Sequence, residues 1–226
     1  MIKKGRLIAI EGTDGSGKTL QTKLLAKLLR QRGKKVEVIS FPRYGQASAQ
    51  LVAQYLNGGF GQSWEVSPYQ ASLFYAIDRF AAAKKIRQWL KQGRIVLANR
   101  YVFSNAAHQG GKIVSQSERF KYWRWLMDLE FGLLNVPQPD LTVLLHVSAG
   151  LAQRLVDKKS KRNYIKNGAK RDIHEKDINH LKAAEQAYLQ LAKKYSLKVV
   201  ECERGGKLLK PEEISRKLYN KIKNKK

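Results

Sequence analysis

Residues Gly12 to Thr19 read GTDGSGKT, the spacing G-x-x-x-x-G-K-[ST], and a loop of that kind can cradle phosphate. The reason is geometric. Gly12, Gly15 and Gly17 let the backbone curl until its N–H groups face inward, and a helix starting directly afterwards adds its positive end. Thr13, Asp14 and Ser16 complete the wrap around the phosphates of a nucleoside triphosphate. Lys18 can reach the β- and γ-phosphates, and the Thr19 hydroxyl, with Asp14 close by, can ligate Mg²⁺. A glycine turn that merely closed a strand–helix unit would not require Lys-Thr at these positions.

Three later stretches carry side chains suited to a second, planar and phosphorylated ligand: FPRYG (41–45), YAIDRFAA (75–82) and NRYVFSNAAHQG (99–110). Arginine forks match phosphate oxygens, an aromatic face matches a base, and an amide matches a base edge. Each has a plain alternative when taken singly. Tyr75 on an apolar helix suits a core, Arg79 a surface, and Asn105 a turn or cap. Their occurrence together behind a phosphate loop gives them weight.

Hydrophobic periodicity supplies the elements that must position these groups. Strands are expected at 6–10, 36–40, 95–98, 141–147 and 198–202. Amphipathic segments alternate with them, the pattern of a parallel sheet with crossover helices. The helix over 67–92 announces its start: Ser67 as cap, Pro68 at the first turn and Gln70 three residues after the cap. Further helices are expected at about 117–131, near 149–157, over 173–195 and from Pro211. Between them, KKSKRNYIKNGAKR (158–171) lacks hydrophobic periodicity and reads as a basic loop over a ligand site.

Composition bounds the rest. With 226 residues, 43% of them hydrophobic, the chain suits a single α/β domain over 1–226 with a full core. The balance of 44 basic against 18 acidic residues gives +26, a field that attracts polyanions. The cations run along helical faces rather than in one tract interleaved with aromatics, so a solvated basic surface with anionic nucleotides as ligands is expected, and nucleic acid is not required. The single cysteine, Cys202, cannot form an intramolecular disulfide, which fits a reducing cytoplasm. No apolar run approaches a membrane span.

These motifs, in this order and with VPQPDL (136–141) and RDIHEKD (171–177) added, resemble the thymidylate kinases over nearly the whole chain. The likeness is to the actinobacterial type, which shares FPRYGQ and the SNAA run. The resemblance implies a P-loop nucleoside monophosphate kinase fold with a five-stranded parallel sheet and a lid at about 158–171. It also implies a homodimer, and transfer of the γ-phosphate of ATP to dTMP with Mg²⁺. Position by position, it places Pro42, Arg43 and Tyr44 along the acceptor's phosphate and ribose, and Tyr75 against thymine. Arg79 falls at the base edge, Arg100 on the acceptor phosphate, and Asn105 and Gln109 beside the base. Lid cations, Arg162, Lys166, Lys170 and Arg171, would neutralise transferring charge, since the P-loop lacks the arginine some members carry. Asp172 and Glu175 match an acidic pair facing the nucleotide.

Two positions depart from the family. Asn99 stands where most members carry Asp, and His108 where close relatives carry Tyr near C2′ of the sugar. The acceptor is a phosphate monoester with its second pKa at about 6, so it needs little deprotonation, and Asn99 bears on metal handling rather than on a general base. His108 bears on exclusion of a 2′-hydroxyl. Two other readings stay open from the residues: a kinase for dUMP or dCMP, and a weakened P-loop nucleotide-binding protein.

Overall fold

The structure is a computed structural model describing residues 5–157 and 178–223. The segment expected as a lid, with Arg162, Lys166, Lys170, Arg171, Asp172 and Glu175, lies outside the described residues. Five parallel strands form the sheet: β1 (Arg6–Glu11), β2 (Val36–Ser40), β3 (Ile95–Asn99), β4 (Leu141–His146) and β5 (Lys198–Glu201). Their order is β2-β3-β1-β4-β5. β1 therefore sits between β3 and β4, in register Ile10↔Asn99 and Glu11↔Leu144. The loops leaving β1 and β3 emerge side by side at the carboxyl edge of the sheet, the place where open α/β sheets bind ligands.

Both faces of the sheet are covered, which is why β1 and β3 read as nearly continuous apolar runs. Leu7, Ala9, Val96, Ala98 and Leu144 point to one side, against Tyr101, Trp123 and Tyr188. This side is clothed by α3 (Pro68–Lys91), α4 (Val102–Gly110), α5 (Gln116–Met127) and α7 (Ile178–Lys194). Ile8, Ile10, Leu97, Val143 and Leu145 point to the other, against α1 (Lys18–Gln31), α6 (Ala149–Asp157) and α8 (Pro211–Lys223). A two-residue hairpin, Glu203–Arg204 with Lys207–Leu208, precedes α8.

The start of α3 is as its sequence predicts. Ser67 Oγ accepts from the Gln70 N–H and Gln70 Oε1 accepts from the Ser67 N–H, at 3.2 and 3.0 Å, satisfying two donors that a bare helix end leaves open. Helix α5 departs from the expected 117–131. It ends at Met127 and widens into a π-helical turn, Asp128–Leu133, which carries Glu130 inward to complete burial. The segment 50–56, not anticipated as regular structure, forms α2 (Gln50–Leu56) and packs Val52, Tyr55 and Leu56 against α3. Among the described residues no helix is long and apolar enough to cross a membrane.

Candidate active site

The phosphate loop lies between β1 and α1 as its spacing demands. At Gly15, with φ +88°, a Cβ would lie 2.3 Å from the Ala152 carbonyl oxygen, and at Gly12 it would lie 2.6 Å from that of Leu145. Any side chain at either point would push the loop off the sheet edge. Helix α1 opens at Gly17 with no side-chain cap and no acid in its first turn, so its first N–H groups are left for an anion. Lys18 is buried and its Nζ donates to the Thr13 carbonyl at 2.7 Å and Ser16 Oγ at 3.4 Å, which sets the ammonium over the loop. Thr13 Oγ1 is buried with no hydrogen-bond partner among the described residues. An orphaned hydroxyl costs about 1–3 kcal/mol, a cost a phosphate oxygen would relieve.

Arg100 stands across the cleft from this loop. Its backbone N–H donates to the Ile10 carbonyl at 3.0 Å, and its φ is +65°, a left-handed conformation that costs a non-glycine residue about 1–2 kcal/mol. That turn aims the guanidinium between the P-loop and α4. Nη2 donates to Asp14 Oδ1 at 2.6 Å, and Nη1 to Ser104 Oγ at 3.1 Å and the Gly12 carbonyl at 3.4 Å. Burial opposes the charge, but Asp14 overrides it and holds the guanidinium well above its ordinary value. Asp14, expected among the metal's ligands, is thus tied to Arg100. The fork reaches it because β1 and β3 are neighbours.

Glu11, unassigned from sequence, anchors this corner. Fully buried, it accepts from the Tyr101 N–H at 2.9 Å, from Tyr188 Oη at 3.3 Å and from Ser104 Oγ. It therefore fixes the start of α4, the helix that carries Asn105, His108 and Gln109. A carboxylate closing an otherwise apolar strand was the signal for it.

On the acceptor side, Pro42 follows Phe41 through a cis peptide bond, and Arg43 is locked by Asp78 of α3. Asp78 accepts from the Arg43 N–H at 2.7 Å and its Nε at 2.9 Å, and Ser48 Oγ donates to it at 2.7 Å. Tyr44 is exposed and Tyr75 half-buried, its ring edge-on to Tyr55 with centroids 6.4 Å apart. Asn105 is bound to α3, accepting from Ser72 Oγ and donating to the Ser72 carbonyl, both at 3.2 Å. Gln109 is 1% exposed, yet neither its amide oxygen nor its nitrogen has a partner among the described residues. It follows Asn105 by one helical turn on α4.

Arg79 is held inside the fold. Expected as a fork on the base edge, it is 2% exposed and donates from Nε to both oxygens of Glu130, at 2.9 and 2.8 Å, and from Nη2 to Oε1. Burial disfavours its charge and the Glu130 carboxylate more than restores it. These bonds form a buried ion pair between α3 and the π-helical turn. His108 is likewise more than a smaller ring: it is buried, with Nε2 3.3 Å from Arg100 Nη1. Burial, then the Arg100 charge, push its pKa well below the usual range, against an opposing pull from Asp14. Asn99 closes the cleft floor, its Nδ2 3.3 Å from both Thr19 Oγ1 and Ser40 Oγ, while Oδ1 is buried without a hydrogen-bond partner among the described residues.

A sequence model described as thymidylate kinase matches residues 10–212. The chain belongs to the thymidylate kinase family. A thymidylate kinase of Mycobacterium tuberculosis is 35% identical over 187 residues, 82% of this chain and 85% of that one. A probable thymidylate kinase of Pyrobaculum aerophilum is 30% identical over 217 residues, 96% of this chain and 95% of its own. The solved structure of a thymidylate kinase from Candida albicans superimposes with a TM-score of 0.73 at 22% identity, covering 97% of this chain and 92% of that one, which shows the shared fold. The sheet and phosphate loop are thus the frame that carries Arg100 and α4.

Proposed function

We propose that the chain transfers the γ-phosphoryl group of ATP to dTMP, giving dTDP and ADP. The observation that carries this is the Lys18–Arg100 arrangement: a glycine loop suited to a triphosphate, faced by an arginine directly after the neighbouring strand, suited to a second phosphate. Phosphoryl transfer asks little covalent chemistry of a protein. Its rate comes from aligning donor and acceptor and neutralising charge on the equatorial oxygens. Lys18 and the α1 N-terminus hold the donor side. Arg100, seated by Asp14 and Ser104, orients the acceptor phosphate, with Arg43 held beside it by Asp78. The unpartnered Gln109 amide suits the N3–H and O4 edge of thymine, and the Tyr75 ring its face. The family resemblance assigns Arg162, Lys166, Lys170 and Arg171 to the lid, and Asp172 and Glu175 to an acidic pair that follows it and faces the nucleotide.

The residues fit Mg²⁺ carried in with the phosphates. Among the described residues no cluster of three His, Cys, Asp or Glu could hold a metal unaided, and Mg²⁺ usually keeps several waters and takes few protein ligands. Thr19 Oγ1 is the oxygen that would meet it, and Asn99, whose Nδ2 lies 3.3 Å from that oxygen, is the neighbouring side chain. Held there by Thr19, a bound ion would offset charge on the phosphate oxygens. An Asn supplies an oxygen without a charge, so Asn99→Asp should move half-maximal activity to lower Mg²⁺ concentration. Superimposable Mg²⁺ titrations of the two proteins would remove this role.

A homodimer is supported by α3, where Tyr69, Leu73, Ile77 and Phe80 are 39%, 42%, 42% and 55% exposed and share one helical face. Light scattering should return twice 25.8 kDa; a monomer mass would contradict it. A cytoplasmic setting is supported by Cys202, free and buried, its thiol pushed up to about 12 by burial and then by Glu201.

Coupled ADP release over dTMP, dUMP, dCMP and dGMP tests the function. Turnover should be highest with dTMP and lost in Lys18→Ala. A preference for dCMP, or retained activity in that variant, would overturn the reading, and binding of ATP without turnover would favour a weakened nucleotide-binding protein.

A further inference from the structure

The imidazole of His108 has a neighbour that the reaction does not call on. His180, buried in the first turns of α7, lies with Nε2 3.3 Å from His108 Nδ1. The two rings are nearly parallel, 25° apart with centroids at 5.5 Å. Tyr188, two turns further along α7, meets His108 edge-on at 6.0 Å. The pair is enclosed between α4 and α7, next to Arg100.

Hydrogen-bond direction in this chain is decided by one member. A guanidinium has donors only and stays protonated, so Arg100 Nη1 can bond His108 Nε2 only if that nitrogen carries a lone pair. The proton of a neutral His108 then sits on Nδ1. From there it points at His180 Nε2, which must accept and must itself be unprotonated. With the opposite arrangement, a proton on His180 Nε2 would face Nδ1 and force the His108 proton onto Nε2, against Arg100. The second nitrogen of a histidine sets what the first can do.

We infer that His180 is a positioning residue: by accepting the Nδ1–H of His108 it fixes the tautomer whose Nε2 receives Arg100, and so helps hold the clamp on the acceptor phosphate. This rests on the reading of Arg100 as that clamp. Among the described residues, the groups facing the pair include Arg100, Asp14, Lys18 and Tyr188, and the low proton affinity of buried His108 keeps the neutral chain in place. The Arg100 seat is therefore built from Asp14 and Ser104 on one side and from a two-histidine relay on the other.

Long-range ¹H–¹⁵N correlation on the full chain reads the tautomer directly, and with 4 histidines the signals are assignable by single substitutions. His108 should be neutral with its proton on Nδ1 near pH 7. A proton on Nε2, or a charged ring, overturns the inference whatever the substrate proves to be. In kinetics, His180→Leu, which fills space and accepts nothing, should raise KM for dTMP on the order of tenfold and leave kcat within about twofold. His180→Gln, whose amide oxygen can accept, should return KM to within about threefold of native. An unchanged KM in the Leu variant, or equal impairment in both, refutes it. Should the Leu variant not fold, the native tautomer decides alone. A chain that phosphorylates another monophosphate would overturn the acceptor assignment and leave the tautomer result standing.

Discussion

Arg100→Met should lower kcat/KM for the monophosphate by about a thousandfold, while the affinity for ATP changes little. The side chain lies between the P-loop and α4, and its bonds to Asp14 and Ser104 hold it there without a ligand. An arginine already aimed at the transferring group contributes most in the transition state, because no reorganisation is needed when charge develops. The left-handed backbone at Arg100 is a cost of about 1–2 kcal/mol offset by those bonds. Steady-state kinetics with the acceptor varied at saturating ATP measures the effect. A loss under tenfold would mean that Arg43 or the lid carries the acceptor phosphate instead. Arg100→Lys should recover only a small part, since an ammonium is a single point of charge and cannot reproduce the fork.

Arg79→Met should destabilise the fold by about 3–5 kcal/mol, read by chemical denaturation. Glu130 is 0% exposed and each of its oxygens accepts from Arg79. Removing the cation leaves a buried carboxylate with no counter-charge, and α5 loses its fastening to α3 at the π-helical turn. The double replacement Arg79→Met/Glu130→Leu should regain most of that loss, because two apolar side chains of similar volume avoid desolvating two charges. An Arg79 that instead served the base edge would behave differently. Its single variant would stay about as stable as the native chain and bind dTMP poorly. A single-variant loss under about 1 kcal/mol would contradict the buried-pair assignment.

Arg79 also shows where sequence stops being readable. Its partner lies 51 residues away, in a π-helical turn whose inward tilt no local pattern announces. The Arg43–Asp78 lock spans 35 residues, and Glu11 reaches Tyr101 across 90. Each depends on strand order β2-β3-β1-β4-β5, which places chain segments side by side that sequence separates. Features whose cause is local were legible. The phosphate loop, the Ser67–Gln70 cap, the five strands and the start of α8 at Pro211 follow from glycine conformations, capping chemistry and apolar runs within a few residues. Short elements were not: α2 and the hairpin at Glu203–Leu208 are too brief to show a period. His180 was likewise invisible from sequence, since only the packing of α7 on α4 brings it to His108.

On the proposed reading, the γ-phosphate of ATP moves to dTMP between Lys18 and Arg100. Incubating the full chain with γ-labelled ATP, Mg²⁺ and dTMP, and separating the nucleotides, tests it most directly. The label should appear in dTDP, in step with ADP. Label appearing only as inorganic phosphate, or remaining in ATP while dTMP stays unphosphorylated, would contradict it.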